Sequence, residues 1–387
     1  MINTSKIGAL TNWLAAGAPL TRDMSKFTAE YGRRLVAAGL PVDMFGVYNT
    51  MIHPEAPGRY HYWTEAGGPE RISISAEQLN QDDIWVGGPA QISLASSRVV
   101  TCTFGASPEF DDRADMQKLV KRGYTQFVYT PLHKQFMAFP SVAAYGTKQE
   151  GGFSDEQLHA ARLLQAPLAR VIEIFNLHAG TVQVLSTYVG RDAGHRIIEG
   201  NIQRGDAEII PSIVLFTDLR RFTELSNTRP VNEVMRILNR FYDIAEAAIT
   251  RNGGEILKFI GDGLLVIFPT PDDLSAQMAA ASGAITALEE SRDALAEAPD
   301  IDLSFRASLH LGDIHYGNIG SKSRLDFTAI GPAVNLAARL MSVADEHGVD
   351  TVCSEAIQQL LPERTKMLGE MTFKGFDAPH RVYQLGT

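Results

Sequence analysis

Four side chains in the C-terminal half of the chain have types and spacings suited to phosphate chemistry. Asp218 closes the apolar run of "IVLFTDLRRFTEL", residues 213 to 225, at the point where a buried strand should end. Asp262 sits between Gly261 and Gly263 in "GGEILKFIGDGLLVIFP", where two apolar runs around a Gly-Asp-Gly read as a β-hairpin with a tight turn. Taken singly, Asp218 is a turn residue, a helix N-cap or a metal ligand, and Asp262 is a turn residue. Asn335 and Arg339 in "DFTAIGPAVNLAARL" stand four apart, on one face of a helix that begins after Gly331 and Pro332. One amide and one guanidinium facing the same way suit a phosphate or a developing oxyanion. The segments "LHLGDIHYGNIG" and "TFKGF" complete an ordered set that single-residue readings do not explain.

The elements that must carry these residues follow from periodicity. The organisation changes near residue 200. Before it, "DMFGVYNTMI", "RYHYWTE", "RISIS", "RVVTCTF", "TQFVYTPLH" and "FMAFPSVAAYG" read as strands of one sheet, separated by Gly-, Pro- and Asp-rich turns. "GGFSDEQLHAARLLQAPLARVIEIFNLHAG" then reads as a long helix, with Ser154 as N-cap, Glu156 close behind, and an apolar stripe broad enough for its own sheet and another copy. Ile7, Leu10 and Leu14 predict a short amphipathic helix within residues 1–22, packing on its own domain or on a partner chain. The polar, glycine-punctuated residues 181–207 read as a helical linker, and "IIPSIVLF" begins a second domain. The fold class is α+β throughout.

Composition narrows the function classes. With 387 residues, 45% hydrophobic and 21% charged, the chain has the make-up of a protein with more than one folded core. A formal charge of −10 disfavours binding to nucleic acid or to an anionic membrane, since both need basic surface to displace counterions. Cys102 and Cys353 lie far apart in no metal-type spacing, so a disulfide framework and a zinc site are not indicated. No run of about eighteen apolar residues is present to span a membrane. A cytoplasmic location is expected.

Residues 208–387 resemble the catalytic domain of class III nucleotidyl cyclases, because five spaced segments agree in order and in chemistry. The resemblance implies a ferredoxin-like βαββαβ core. It places Asp218 and Asp262, with Leu219, at a pair of divalent cations, Mg²⁺ or Mn²⁺, which suit the chemistry of a triphosphate. It places Asn335 on the ribose, Arg339 on the transition state, and Lys374 on the terminal phosphates, with Phe222 and Thr223 among the substrate contacts. Lys258 and Thr328 would read the base, with Asp326 as a substitute acceptor on the same strand face as Thr328. Lys258, read as lying between Ile256 and Ile260 on one strand face, is expected to have a buried partner. The implied enzyme is an adenylate cyclase that makes cyclic AMP and pyrophosphate from ATP at a site shared by two chains of a homodimer. Two positions depart from the family pattern: Arg221 stands where glycine is usual, and Asp313 where some relatives carry a cation.

Residues 23–180 resemble a GAF-type sensory domain, through the strand pair, the glycine-rich bend and "GGFSDEQL". A regulatory small molecule or ion would bind there, and the aromatic run Tyr60, His61, Tyr62 and Trp63 is either a pocket lining or core. The competing readings are a catalytically silent sensor and dimerisation protein, and a guanylate cyclase.

Overall fold

The computed structural model describes residues 2–18, 23–50, 58–75, 77–78, 85–135, 140–298 and 303–386. Residues 51–52 and 136–139 of two expected strands, and 19–22 of the N-terminal segment, lie outside them. The chain divides into two compact units, Met1–Val184 and Leu185–Thr387. Among the described residues no helix is long and apolar enough to cross a membrane.

In the first unit the order is α1 (Thr4–Ala15), α2 (Met24–Ala37), β1 (Met44–Thr50), β2 (Gly58–Thr64), β3 (Gly68–Ile74), α3 (Pro89–Ser96), β4 (Val100–Thr103), α4 (Pro108–Asp111), α5 (Ala114–Lys121), β5 (Gln126–Leu132), β6 (Ser141–Thr147) and α6 (Asp155–Val189), whose last turn passes into the second unit. The strands form one antiparallel sheet in the order β3-β2-β1-β6-β5-β4. β5 and β6 are buried along their whole length, which requires cover on both faces, and Gln126, Thr130, Ser141 and Thr147 are buried among their apolar residues. α1, α2 and α6 cover one face, and Ile7, Leu10 and Leu14 of α1 pack with Phe27, Phe45 and Leu168 in that core. α1 is therefore part of the same unit as the sheet rather than a separate segment. The aromatic run alternates as strand geometry dictates: Tyr60 and Tyr62 pack in the core on one face, and Trp63 packs in the core on the other, the face that also carries the buried His61. Ser154 does cap α6, but its reciprocal partner is Gln157 and not Glu156: the Gln157 N–H donates to Ser154 Oγ at 3.3 Å, and the Ser154 N–H to Gln157 Oε1 at 2.8 Å.

The second unit contains α7 (Arg191–Ile198), β7 (Ala207–Leu219), α8 (Phe222–Thr228), α9 (Val231–Arg251), β8 (Glu255–Ile260), β9 (Gly263–Pro269), α10 (Leu274–Ala296), β10 (Phe305–Gly320), β11 (Leu325–Ile330), α11 (Pro332–His347), β12 (Thr351–Ser354), α12 (Glu355–Leu360), β13 (Thr365–Met371) and β14 (His380–Leu385). Its sheet runs β13-β14-β12-β10-β7-β9-β8, with β11 paired to β10. The stretch β7-α9-β8-β9-α10-β10 is a βαββαβ unit, and β7 is central in it, between β10 and β9. Ile213 and Leu215 of β7 pack toward α9 and α10, and Val214 packs toward α11, so this strand is apolar on both faces. The expected linker is more than a connector. Gly190 has φ +94°, α7 turns back there, and Ala193 is buried with Val214, Leu265 and Tyr316.

His310 on β10 is largely buried and accepts or donates one hydrogen bond, 2.8 Å from Nδ1 to the Ser354 hydroxyl. Burial, and secondly the charge of His380, push its pKa from 6.5 down to about 4. The unfolded chain therefore binds a proton near pH 6.5 that the folded chain refuses until about pH 4. Stability that is present above pH 6.5 should be lost as pH falls through that window, by about 1.4 kcal/mol per pH unit. Urea unfolding of the wild type and of His310→Gln between pH 6.5 and pH 4.5 checks this. The variant should show the shallower pH slope, and equal slopes would contradict the assignment.

Candidate active site

The two aspartates come together through strand register. Asp218 lies directly across from Gly263 on β9, and Gly263 pairs with Ile260 on β8, which leaves Gly261 and Asp262 as the two residues of the hairpin turn. Gly261 has φ +62°, the left-handed conformation that such a turn demands. At Gly263 a Cβ would lie 2.3 Å from the Thr217 carbonyl oxygen, so only glycine allows β9 this close to β7. The Asp262 carboxyl is raised above its ordinary range, first by burial and then by the Asp218 charge, against the pull of the Asp262 and Leu219 backbone N–H groups and of Arg306. Tyr242 holds the turn from α9 by donating its hydroxyl to the Gly261 carbonyl at 2.7 Å. Leu219 itself is buried, and what it contributes is this backbone contact with Asp262.

Sequence reasoning missed Arg306. It stands opposite Asp218 on β10 and reaches Asp218 Oδ2 with Nε at 3.1 Å and Nη2 at 2.5 Å, while Nη1 pairs with Asp345 near the end of α11. The usable signal was a lone arginine in a strand of apolar residues, "SFRASLHL", which must find an acid when its strand is interior. Two adjacent carboxylates, one held by a guanidinium and one by backbone N–H groups, form a hard-oxygen donor set. It fits Mg²⁺ or Mn²⁺, which binds through one or two carboxylates and completes its shell with substrate phosphates. Among the described residues no group of three or more acidic, histidine or cysteine side chains offers an all-protein cage.

α11 begins at Pro332 with Gly331 at its N-cap, as expected, and ends at Gly348, with φ +64°. Ala333, Leu336, Ala337, Leu340, Val343 and Ala344 are buried, whereas Asn335 and Arg339 are exposed on the outer side of the helix. The structure therefore brings Asn335 and Arg339 together on one face, but turns them away from the sheet that carries Asp218. Lys374 is exposed in the turn between β13 and β14.

Lys258 differs from expectation in two respects. A register irregularity between Ile256 and Lys258 breaks the alternation, so Lys258 pairs with Leu265, whose side chain packs toward α11 and β11, while Ile256 packs toward the α9 and α10 side. The expected partner is present, but it is not buried: Lys258 pairs with Asp326 of β11, and both side chains are about half exposed, at 46% and 52%. Thr328 is half-buried two residues along the same strand face.

Arg221, at the glycine position before Phe222 and Thr223, has φ +61°. The left-handed conformation costs a non-glycine residue about 1–2 kcal/mol, which shows why glycine suits this place. Its guanidinium forms a two-pronged pair with Glu224, both contacts at 2.9 Å. Phe222 starts α8 and packs against the core, while Thr223 and Asp313 are exposed.

Residues 208–386 match the family model of the adenylate and guanylate cyclase catalytic domain. An uncharacterized protein of Mycobacterium tuberculosis is 32% identical over 200 residues, covering 50% of this chain and 36% of that protein. Adenylate cyclase 1 of Rhizobium meliloti is 27% identical over 177 residues, covering 44% of this chain and 27% of that protein. The chain thus spans about a third of the length of these curated relatives, at 36% and 27%. Among solved structures, the adenylyl cyclase CyaB from P. aeruginosa is similar at 27% identity with a TM-score of 0.40, covering 47% of this chain and 96% of that one. The guanylyl cyclase Cya2 is similar at 27% identity with a TM-score of 0.38, covering 47% of this chain and 94% of that one.

The electrostatic link between the aspartates has a readout independent of turnover. Asp218→Asn removes the charge that helps hold the Asp262 carboxyl up, so Asp262 should titrate at lower pH in the variant, as followed by carboxyl NMR without metal. An unchanged Asp262 titration would mean that the two carboxylates are not coupled.

Proposed function

We propose, from the premise that residues 208–386 form an adenylate and guanylate cyclase catalytic domain, that the protein converts ATP to 3′,5′-cyclic AMP and pyrophosphate at sites shared between two copies of the chain. The observation that carries this reading is the pairing of Asp218 with Asp262 at the Gly-Asp-Gly turn. In the reaction the ribose 3′-oxygen attacks its own α-phosphorus, the bond to the bridging oxygen breaks, and the hydroxyl proton passes to solvent. Divalent cations held by Asp218 and Asp262 would acidify the 3′-hydroxyl and neutralise the departing pyrophosphate.

The chain's own residues supply position and charge. Arg306 and the Leu219 N–H aim the two carboxylates. Arg339 would stabilise the charge that develops on the α-phosphoryl oxygens, Asn335 would orient the ribose, and Lys374 would pair with the terminal phosphates. The outward direction of Asn335 and Arg339 supports a second chain as the source of the metal-binding half, since in one chain α11 presents them away from the sheet face of Asp218. The full set of candidate metal and transition-state residues, Asp218, Asp262, Asn335 and Arg339, favours catalysis over a silent dimerisation role. For the base, Lys258 would donate to a ring nitrogen of adenine, and Thr328 would accept from its amino group. The first unit, read as a GAF-like sensor, would set the relation of the two catalytic halves.

Purified full chain incubated with ATP or GTP and Mn²⁺ should yield cyclic AMP in excess of cyclic GMP. Lys258→Glu combined with Thr328→Cys should shift the product ratio toward cyclic GMP, because the donor and acceptor pattern facing the purine is exchanged. An unchanged ratio with surviving activity would remove both residues from base selection. The shared site is checked by co-expressing differently tagged Asp218→Asn and Asn335→Ala chains. Each variant alone should be inactive, and the isolated mixed dimer, with one site intact, should recover about half of wild-type activity. A mixed dimer as inactive as its parents would place both residues in one chain's site.

A further inference from the structure

The first unit holds a group of cationic and donor side chains whose two arginines form no ion pair among the described residues. Arg59, His61 and Trp63 project from β2 toward α2, where Trp63 is core. In the β2–β3 register His61 lies opposite Arg71 and Arg59 opposite Ser73. The two guanidiniums are thus diagonal neighbours on one sheet face, flanking the imidazole, an arrangement that repels unless something negative lies between them. Among the described residues neither Arg59 nor Arg71 lies within ion-pair distance of a carboxylate, and Arg59 Nε is buried without a hydrogen-bond partner. A guanidinium cannot shed its proton, so partial burial without a counter-ion costs stability.

The surroundings are polar and prearranged. His61 is buried, and burial followed by the Arg59 and Arg71 charges pushes its pKa down to about 4 against the opposing charge of Asp23, so the ring is neutral at neutral pH. Its Nδ1 is 3.0 Å from the Ser25 hydroxyl in the first turn of α2. Asp23, the nearby acid, caps α2 by accepting from the Ser25 N–H at 2.8 Å and the Lys26 N–H at 3.4 Å. Asn49 on β1 lies opposite Arg59, is buried, and has its Oδ1 engaged by the Ser141 hydroxyl at 2.6 Å and the Asn176 amide at 3.0 Å. Among the described residues none of these side chains forms an ion pair with either arginine.

We propose that Arg59, Arg71 and His61 form a binding site for a small oxyanion, a carboxylate or a phosphate. The guanidiniums supply forked donors and the imidazole a further one, which matches planar carboxylate or tetrahedral phosphate oxygens. The site gives the first unit a ligand class of its own, and it does not depend on the cyclase reading of the second unit.

The three tryptophans of the chain, Trp13, Trp63 and Trp85, all belong to the first unit, so their fluorescence reports there and not on a phosphate subsite of the catalytic unit. Full chain is titrated with sodium phosphate, and separately with sodium acetate, against sodium chloride at matched ionic strength. A saturable change with either anion beyond chloride is expected, and the anion that gives it identifies the class. Arg59→Gln and Arg71→Gln should each weaken that response by about tenfold, the worth of one charge-assisted contact. Arg71 is exposed on the edge strand β3, so its replacement leaves the core unchanged and keeps the test valid if the Arg59 variant fails to fold. No saturable response in the wild type with either anion, or a wild-type response in Arg71→Gln, overturns the proposal.

Discussion

The second unit depends on one close approach: the backbone of β9 against β7 at Gly263, where a Cβ would stand 2.3 Å from the Thr217 carbonyl oxygen. That contact sets the register Asp218 to Gly263 and so places the hairpin residue Asp262 beside the end of β7. The rest of the site is arranged around the resulting like charges. Arg306 and the Leu219 N–H stabilise one carboxylate each, and Tyr242 fixes the turn by holding the Gly261 carbonyl. Burial and repulsion raise the Asp262 carboxyl, and the same proximity is what the proposed divalent cations would use.

α11 divides the labour differently. Its alanines and leucines bury against the sheet, and its N-terminus is set by Gly331 and Pro332, so the outward direction of Asn335 and Arg339 is a consequence of helical period alone. A chemical group that a chain presents away from its own carboxylates is useful when another surface faces it. On the proposed reading, catalytic competence would belong to two copies together, and the geometry between them would be a natural point of control.

The first unit shows how little of its polar surface is decoration. Asn49, Ser141 and Asn176 satisfy one another in the interior, while Arg59 and Arg71 on the adjacent strands find no acid among the described residues. That polar corner stands apart from a sheet packed with stacked aromatics, such as Tyr48 on Tyr60 with ring centroids 3.8 Å apart. Tyr60, Tyr62 and Trp63 of the aromatic run are core, sent to two different faces by strand alternation, while His61 stands beside the two arginines.

Local signals in the sequence determined much of the second unit. The apolar run ending at Asp218, the glycines about Asp262, and the glycine-proline start of α11 each specify backbone conformation over a few residues, and the structure follows them. The partners of Ser154 and of Lys258 were legible only in part: capping geometry selects the residue three positions on, and a bulge in β8 moves Lys258 to the other strand face, toward Asp326. Arg306 with Asp218 and Asp345, the docking of α7 under β7 and β9, and the unbalanced Arg59 and Arg71 belong to the tertiary structure alone. Each joins residues far apart in the chain, and charge balance between such residues is decided by strand order and register, which no local pattern encodes.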